Sequence, residues 1–311
     1  VAVMLDVFAV TRDRDFLESR LLPVAREILT FYREHFRERS RDGKIVLAPS
    51  QSLETWHEAV NPLPDIAGLK WILEGLLKVG GVPEDERAQW RELQELLPPL
   101  PQRTYFWEKR TELIDALQYN NSMNFENPAL YAVFPYRLFG AGKPERETGR
   151  ETWRVRRFKE SSCWRQDAIQ AALLGLTDEA KRLVLAYFEA PLAKGVRFPA
   201  FWGPHFDWLP DQDHGGVGMT ALQRMVLHWE SSGSLLEETG PIWLLPSWPD
   251  EWDVTFKLWA PGNTMVECEF HHKQIKRLKV TPETRTKDII TEKPFSQSKD
   301  QTKPIVPPSF S

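Results

Sequence analysis

Cysteine is nearly missing: the 311 residues hold two, Cys163 and Cys268, far apart and with no metal-ligand spacing around them. That argues against structural zinc and reads as a pair of buried thiols. Charge of one sign is also lacking, since 40 Lys and Arg face 44 Asp and Glu for a net −4, and no window forms a basic stripe. Nucleic acid is therefore a poor partner. No uninterrupted apolar run approaches the length of a bilayer span, so a membrane is not expected either. The opening "VAVMLDVFAVTRDRDFLESR" has no initiating Met and no basic stretch before its apolar part, and Asp6 interrupts it. It reads as the interior of a buried helix rather than a signal peptide, and the chain as a fragment whose upstream elements are missing. No fixed short repeat is visible, which argues against a solenoid. The length is ample for a sizeable core without metal or disulfide staples.

What the chain does have is helical periodicity. Leu21, Val24, Ala25, Ile28, Phe31, Tyr32 and Phe36 recur at three- and four-residue steps, as one face of an amphipathic helix requires. Ile66, Leu69, Ile72, Leu73, Leu76 and Val79 repeat the pattern, with Asp65 at the start and Gly80-Gly81 at the end. "VPEDERAQWRELQELLPPLP" follows with acids in its first turn and prolines after its last, so the two form a helical hairpin. Further helices are expected over 165–174, 178–188 and 216–229. Beyond Ile242 the texture changes to strict alternation over 254–258, 265–270 and 275–280, which predicts a small antiparallel sheet. From about residue 289 the chain gains Pro, Ser and Lys and loses periodicity, as a disordered tail does.

Three long polar-aromatic loops lie between these elements, at 48–62, 119–140 and 198–216, and loops of this length are more often functional than incidental. They mix carboxylates, amides and aromatics. Hydrolysis of an acetal needs one acid to protonate the leaving oxygen and a second group to activate water, roughly 6.5–9.5 Å away when the centre inverts. Tryptophan offers a flat face to a pyranose, and Trp56, Trp202 and Trp208 fall inside these loops, out of 13 in the chain. Plainer readings stand beside this one. Glu54 could favour a helix N-terminus. Asp211 and Asp213 could be turn formers beside Pro210 and Gly215, Glu126 and Asn127 could close a turn before Pro128, and most tryptophans are core. His205, Asp207, Asp211, Asp213 and His214 are also potential metal ligands, but the frame from Asp211 reaches Leu222 where a calcium loop needs Glu, and no zinc-type His pair exists. No metal and no cofactor is expected.

Taken in order, the loops resemble the (α/α) six-hairpin toroid glycosidases, specifically the family 95 α-L-fucosidase group and its relatives. "PSQSLETW" resembles that family's Pro-Ser-x-Ser-Pro-Glu-Asn motif and puts Glu54 where its general acid lies. "LYAVFP", after "NFENPA", is similar to its Leu-Tyr-Gly-Leu-Tyr-Pro segment, and "SCWRQDAIQAALLGLTDEAKRLV" to its Gly-Trp helix start. "LPDQDHGG" resembles its Gln-Ile-Asp-Gly-Asn-Phe-Gly-Gly run and sets Asp211 on the carboxylate that helps activate water. The likeness spans roughly residues 5–285. The acid motif has changed to Leu53-Glu54-Thr55 and the family's histidines to Asn124-Phe125-Glu126-Asn127, so the fucose specificity is not carried over.

The resemblance implies a mainly α fold: the later hairpins of an (α/α) toroid over 1–238, an antiparallel β-sandwich domain over 239–288, and the tail 289–311. It implies a glycoside hydrolase on a carbohydrate substrate, by inversion, outside the cytoplasm. Glu54 would be the acid, its pKa raised by burial beside Trp56, and Asp211 the base-side carboxylate. His57, Trp56, Glu126, Asn127, Trp202, His205, Asp207, Trp208, Asp213 and His214 would bind sugar. The rivals are a carbohydrate-binding relative that has lost catalysis, and a polysaccharide lyase with a Tyr or His base, which the surplus of carboxylate disfavours.

Overall fold

The computed structural model describes residues 1–159, 164–189, 213–229, 240–291 and 296–297. Helix α1 (Ala2–Thr11) buries Leu5, Phe8 and Ala9 and stops where Arg12 turns left-handed. Asp13 caps the next helix, α2 (Arg14–Phe16), its carboxylate accepting from the Phe16 N–H at 3.0 Å. A widened π turn over Leu17–Leu21 then leads into α3 (Leu22–His35). Pro23, which has no N–H to give, follows directly, and a loosened turn is how a helix absorbs such a residue.

Strands β1 (Ser50–Ser52) and β2 (Trp56–Pro62) precede α4 (Leu63–Leu77) and α5 (Glu84–Leu96). Glu84, Asp85 and Glu86 open α5, complementing its dipole. The Arg87 side chain donates to the carbonyls of Leu77, Val79 and Val82, which satisfies the C-terminal end of α4. These two helices pack with α1 and α3 around Phe8, Leu21, Ile66, Leu73 and Trp90, one of two hydrophobic cores.

The second core is mixed. Strands β3 (Gln102–Tyr105) and β4 (Arg110–Leu113) form a hairpin, and β5 (Ala116–Gln118) joins the far edge of β2, giving the order β1-β2-β5. A 3-10 turn at Pro128–Ala132 leads to α6 (Arg146–Val155), α7 (Asp167–Leu173), α8 (Thr177–Glu189) and α9 (Asp213–Val226). Strand β6 (Leu227–Trp229) pairs with β7 (Ile242–Leu244). An antiparallel meander follows, β8 (Val254–Ala260), β9 (Thr264–His271) and β10 (Gln274–Thr281), and then the short strands β11 (Ile289–Ile290) and β12 (Ser296–Gln297). Alternate residues of β9 are buried, with Val266, Cys268 and Phe270 inward, as period-two alternation demands. They join Leu173, Leu183 and Met225 of the helices in one cluster. Burial pushes the Cys268 thiol up to about 12, so it stays protonated. Gly142 has φ 77°, and a Cβ there would run into the Trp243 ring, so only glycine fits.

The expected mainly α toroid is therefore corrected to a mixed α/β architecture. Among the described residues nine helices alternate along the chain with four small sheets, and no ring of helical hairpins is evident. The helices that periodicity predicted lie close to where it put them. What the amphipathic stripes did not carry is what lies between, where segments read as loops pair with distant partners as strands. Strands β6 and β7 pair across position 239, and the meander shares one hydrophobic cluster with α7, α8 and α9.

Candidate active site

The site is assembled by a turn and a loop that lock together. Between β1 and β2, residues 53–55 form a turn whose first member, Leu53, is held at φ 54°. A branched residue there is strained. The strain is held by Thr55, fully buried, whose carbonyl accepts from the Met123 N–H at 2.8 Å and whose Oγ1 accepts from the Glu126 N–H at 3.2 Å. An isolated bridge between Trp56 and Ser122 continues the contact. Segments some seventy residues apart thus present Glu54 and Glu126 side by side.

Their surroundings differ. Glu54 is exposed, not buried as expected, and accepts from Asn124 Nδ2 at 3.2 Å. Glu126 is half-buried, with Thr55 Oγ1 at 3.4 Å and the Tyr131 hydroxyl at 3.5 Å as donors. Burial pushes the Glu126 carboxyl above its ordinary value, and the adjacent Glu54 carboxylate adds to this against the hydrogen bond from Thr55. Burial and the Glu126 charge also push the Tyr131 phenol up, so it stays a donor.

Glu126, Tyr131, Trp164, Gln166 and Asp167 line a pocket of about 10 Å³, water-sized rather than sugar-sized. Tyr131 also borders a much larger cavity of about 500 Å³, together with Leu53, Asp65, Tyr32 and Tyr136. In its wall Tyr32 donates to Asp65, and burial raises the pKa of both groups. Tyr136 approaches α4 closely because Gly68 offers no side chain in its way. Trp164, half-buried, packs against Phe125 at 5.5 Å between centroids.

Below the pocket, Asp167 opens α7 and is almost fully buried between two guanidiniums. Arg156 Nε donates to its Oδ1 at 2.8 Å, and Arg165 Nε lies 3.3 Å from Oδ2.

The other residues read from sequence divide plainly. Trp56 is only 4% exposed, so its faces are not open to a sugar. Its Nε1 donates to Asp115 Oδ2 at 2.6 Å, Tyr119 packs at 4.4 Å and Arg157 at 5.1 Å from its ring. Asn127 spends its amide on both backbone polar groups of Phe158. His57 is half-buried on β2 and its carbonyl accepts from Asn120. Asp213 is exposed at the start of α9, and His214 lies within that helix. Trp202, His205, Asp207, Trp208 and Asp211 lie outside the described residues. Sequence reasoning missed Trp164, Tyr131 and Gln166 as pocket residues, although all three stand in quoted motifs.

Asp115 ties these pieces together. Its carboxylate accepts from Trp56 Nε1 and, at 2.8 Å, from the Ala129 N–H, while its carbonyl accepts from Ser52 and Leu63. Burial raises its pKa against those bonds. An amide in its place would turn an NH₂ toward one of the two donors. Asp115→Asn is expected to lose about 1–3 kcal/mol, measured as a lower urea midpoint at unchanged slope.

Among the described residues no group of three or more His, Cys, Asp or Glu side chains is arranged to hold a metal ion, and no helix is long and apolar enough to cross a membrane. No protein-family model and no curated protein matches the chain.

Proposed function

We propose that this chain is a glycoside hydrolase that cleaves an oligo- or polysaccharide by general acid and base catalysis, with Glu126 as the acid and Glu54 as the second carboxylate. The supporting observation is the pairing at Thr55 of two carboxylates in unlike surroundings, one half-buried with a raised pKa and the other exposed. Environments that push two acids apart are how a single site divides acid from base work. Glu126 would hold a proton for the leaving oxygen, and Glu54, open to solvent, would act on water. This exchanges the role that the resemblance gives to Glu54. Asp211, base-side by the same resemblance, lies outside the described residues, and the pairing does not require it.

The sugar would enter from the side of the 500 Å³ cavity, because the pocket behind Glu126 has room only for a water. Tyr131, bordering both, would donate to a sugar or leaving oxygen. Its raised pKa counts against the lyase reading, in which a tyrosine must give up its proton to act as base.

Assay of a panel of aryl glycosides and plant oligosaccharides tests the proposal, with the first-formed anomer read by proton NMR. Hydrolysis of one sugar supports it, and an inverted first product would agree with the mechanism that the resemblance implies. Elimination to an unsaturated product would replace it with a lyase. Sugar binding without turnover across the panel would replace it with a carbohydrate-binding protein.

A further inference from the structure

Where α9 passes into β6, the interior carries more positive charge than the described residues there neutralise. Arg137, 4% exposed, makes a two-pronged pair with Asp6 of α1 at 2.8 and 2.5 Å. Its guanidinium lies 5.0 Å from the ring centre of Trp229 and 5.0 Å from that of Trp71. Arg224, in the last turn of α9, lies 5.1 Å from the same Trp229 ring. Unlike Arg137, it makes no hydrogen bond or ion pair with any described residue. Burial, and after it the charge of Arg137, push the Arg224 guanidinium down to about 10 despite Asp6. His228 on β6 is 2% exposed, its ring 5.3 Å from Trp243, and its Nδ1 is buried without a hydrogen-bond partner among the described residues. Burial, then Arg224 and Arg137, hold its pKa far below the usual range, with Lys143 and Arg146 adding to the field.

Among the described residues one carboxylate, Asp6, thus faces two guanidiniums that share an indole. Contact with an aromatic ring and a place in the last turn of a helix both favour a cation. Neither supplies an acceptor for a fork of five N–H donors, and the half-buried Arg224 guanidinium keeps only part of its hydration in place of one. We propose that Arg224, with Arg137 and His228 beside it, binds an oxyanion of the carboxylate, phosphate or sulfate class. The planar fork of Arg224 suits two oxygens of such a group, and the anion's charge would offset the surplus cation. None of these side chains lines the pocket of Glu126, so the inference does not rest on the glycosidase reading.

The test is thermal unfolding of the whole chain in millimolar sodium sulfate, phosphate and acetate, each against sodium chloride at equal ionic strength. A saturable rise in Tm with at least one of the three is expected, and which one identifies the anion. Arg224→Met should abolish the saturable part. Arg224→Lys, which keeps the charge and loses the fork, should weaken the apparent affinity at least about tenfold. Because Met at 224 could fail to fold, the His228 ring resonances are titrated with the same salts in the unaltered chain and in Arg224→Lys, where they should shift along the same saturation curve. Equal response to chloride and to all three oxyanions, His228 signals that do not move, or an unweakened response in Arg224→Lys would each overturn the proposal.

Discussion

If the chain is the proposed hydrolase, Glu126→Gln is expected to lower kcat/KM about 10²–10⁴-fold on its natural alkyl-linked glycoside, the usual worth of a positioned proton donor. The loss should depend on the leaving group. A nitrophenolate leaves with little help, so the variant should come close to the parent on such substrates and fall furthest behind on natural alkyl linkages. Glu54→Gln should lose activity on both kinds alike, since the departing group does not alter the demand for an activated water. If the dependence on leaving group appeared with Glu54→Gln instead, the acid would be Glu54, as the resemblance implies. The pH profile carries the same sign. An acid must be protonated to act, so activity is lost as pH rises through the raised Glu126 value, and that limb should vanish in the variant. Stability moves in the same sense. The folded state binds the Glu126 proton more tightly than the unfolded state does, so between the unfolded and folded pKa the chain loses stability as pH rises, and glutamine removes that slope.

Asp167→Asn should cause the largest loss of stability, about 3–5 kcal/mol, because it strands two buried guanidiniums without a counter-charge. Arg156 is 7% and Arg165 6% exposed, so neither can reach water in place. The Arg156 side chain keeps its bonds to the carbonyls of Trp153 and Lys159, which hold it in the interior whether or not Asp167 is charged. Urea unfolding would show the midpoint falling with the slope retained. A cycle with Arg165→Met should recover part of the loss, since removing a stranded cation is favourable once its partner is gone. Full additivity of the two changes would mean that Asp167 and Arg165 do not interact.

The elements legible in the sequence were those whose signal is local. Helices α3, α4 and α5 carry an apolar stripe at 3.6-residue spacing, and β8 to β10 alternate residue by residue, so each could be read without knowing its neighbours. Helix α6 was missed because "RETGRETWRV" buries only Gly149, Thr152 and Trp153 and is otherwise charged. Strands β1, β2 and β5 were missed because three to seven residues give little pattern, and β2 finds its second neighbour across more than fifty residues. The same distance decided the site. Glu54 and Glu126 both stand out as carboxylates in long loops, but which one is enclosed depends on how the turn at Thr55 docks on 122–126, and no spacing along the chain encodes that. Trp56 looked like an open platform because its Nε1 acceptor, Asp115, lies 59 residues away.

Leu53 has a further consequence. A residue with a side chain in the left-handed region sits about 1–3 kcal/mol above its preferred backbone, and glycine would relieve this at once. Drift under selection for stability alone should therefore carry position 53 toward glycine. Leucine there spends that stability on a turn with few alternative shapes, and its side chain also walls the cavity shared with Tyr131. Under the proposed role of Glu54, activity and stability would be opposed at one codon: the gain from relaxing the turn would come with a carboxylate at 54 free to wander.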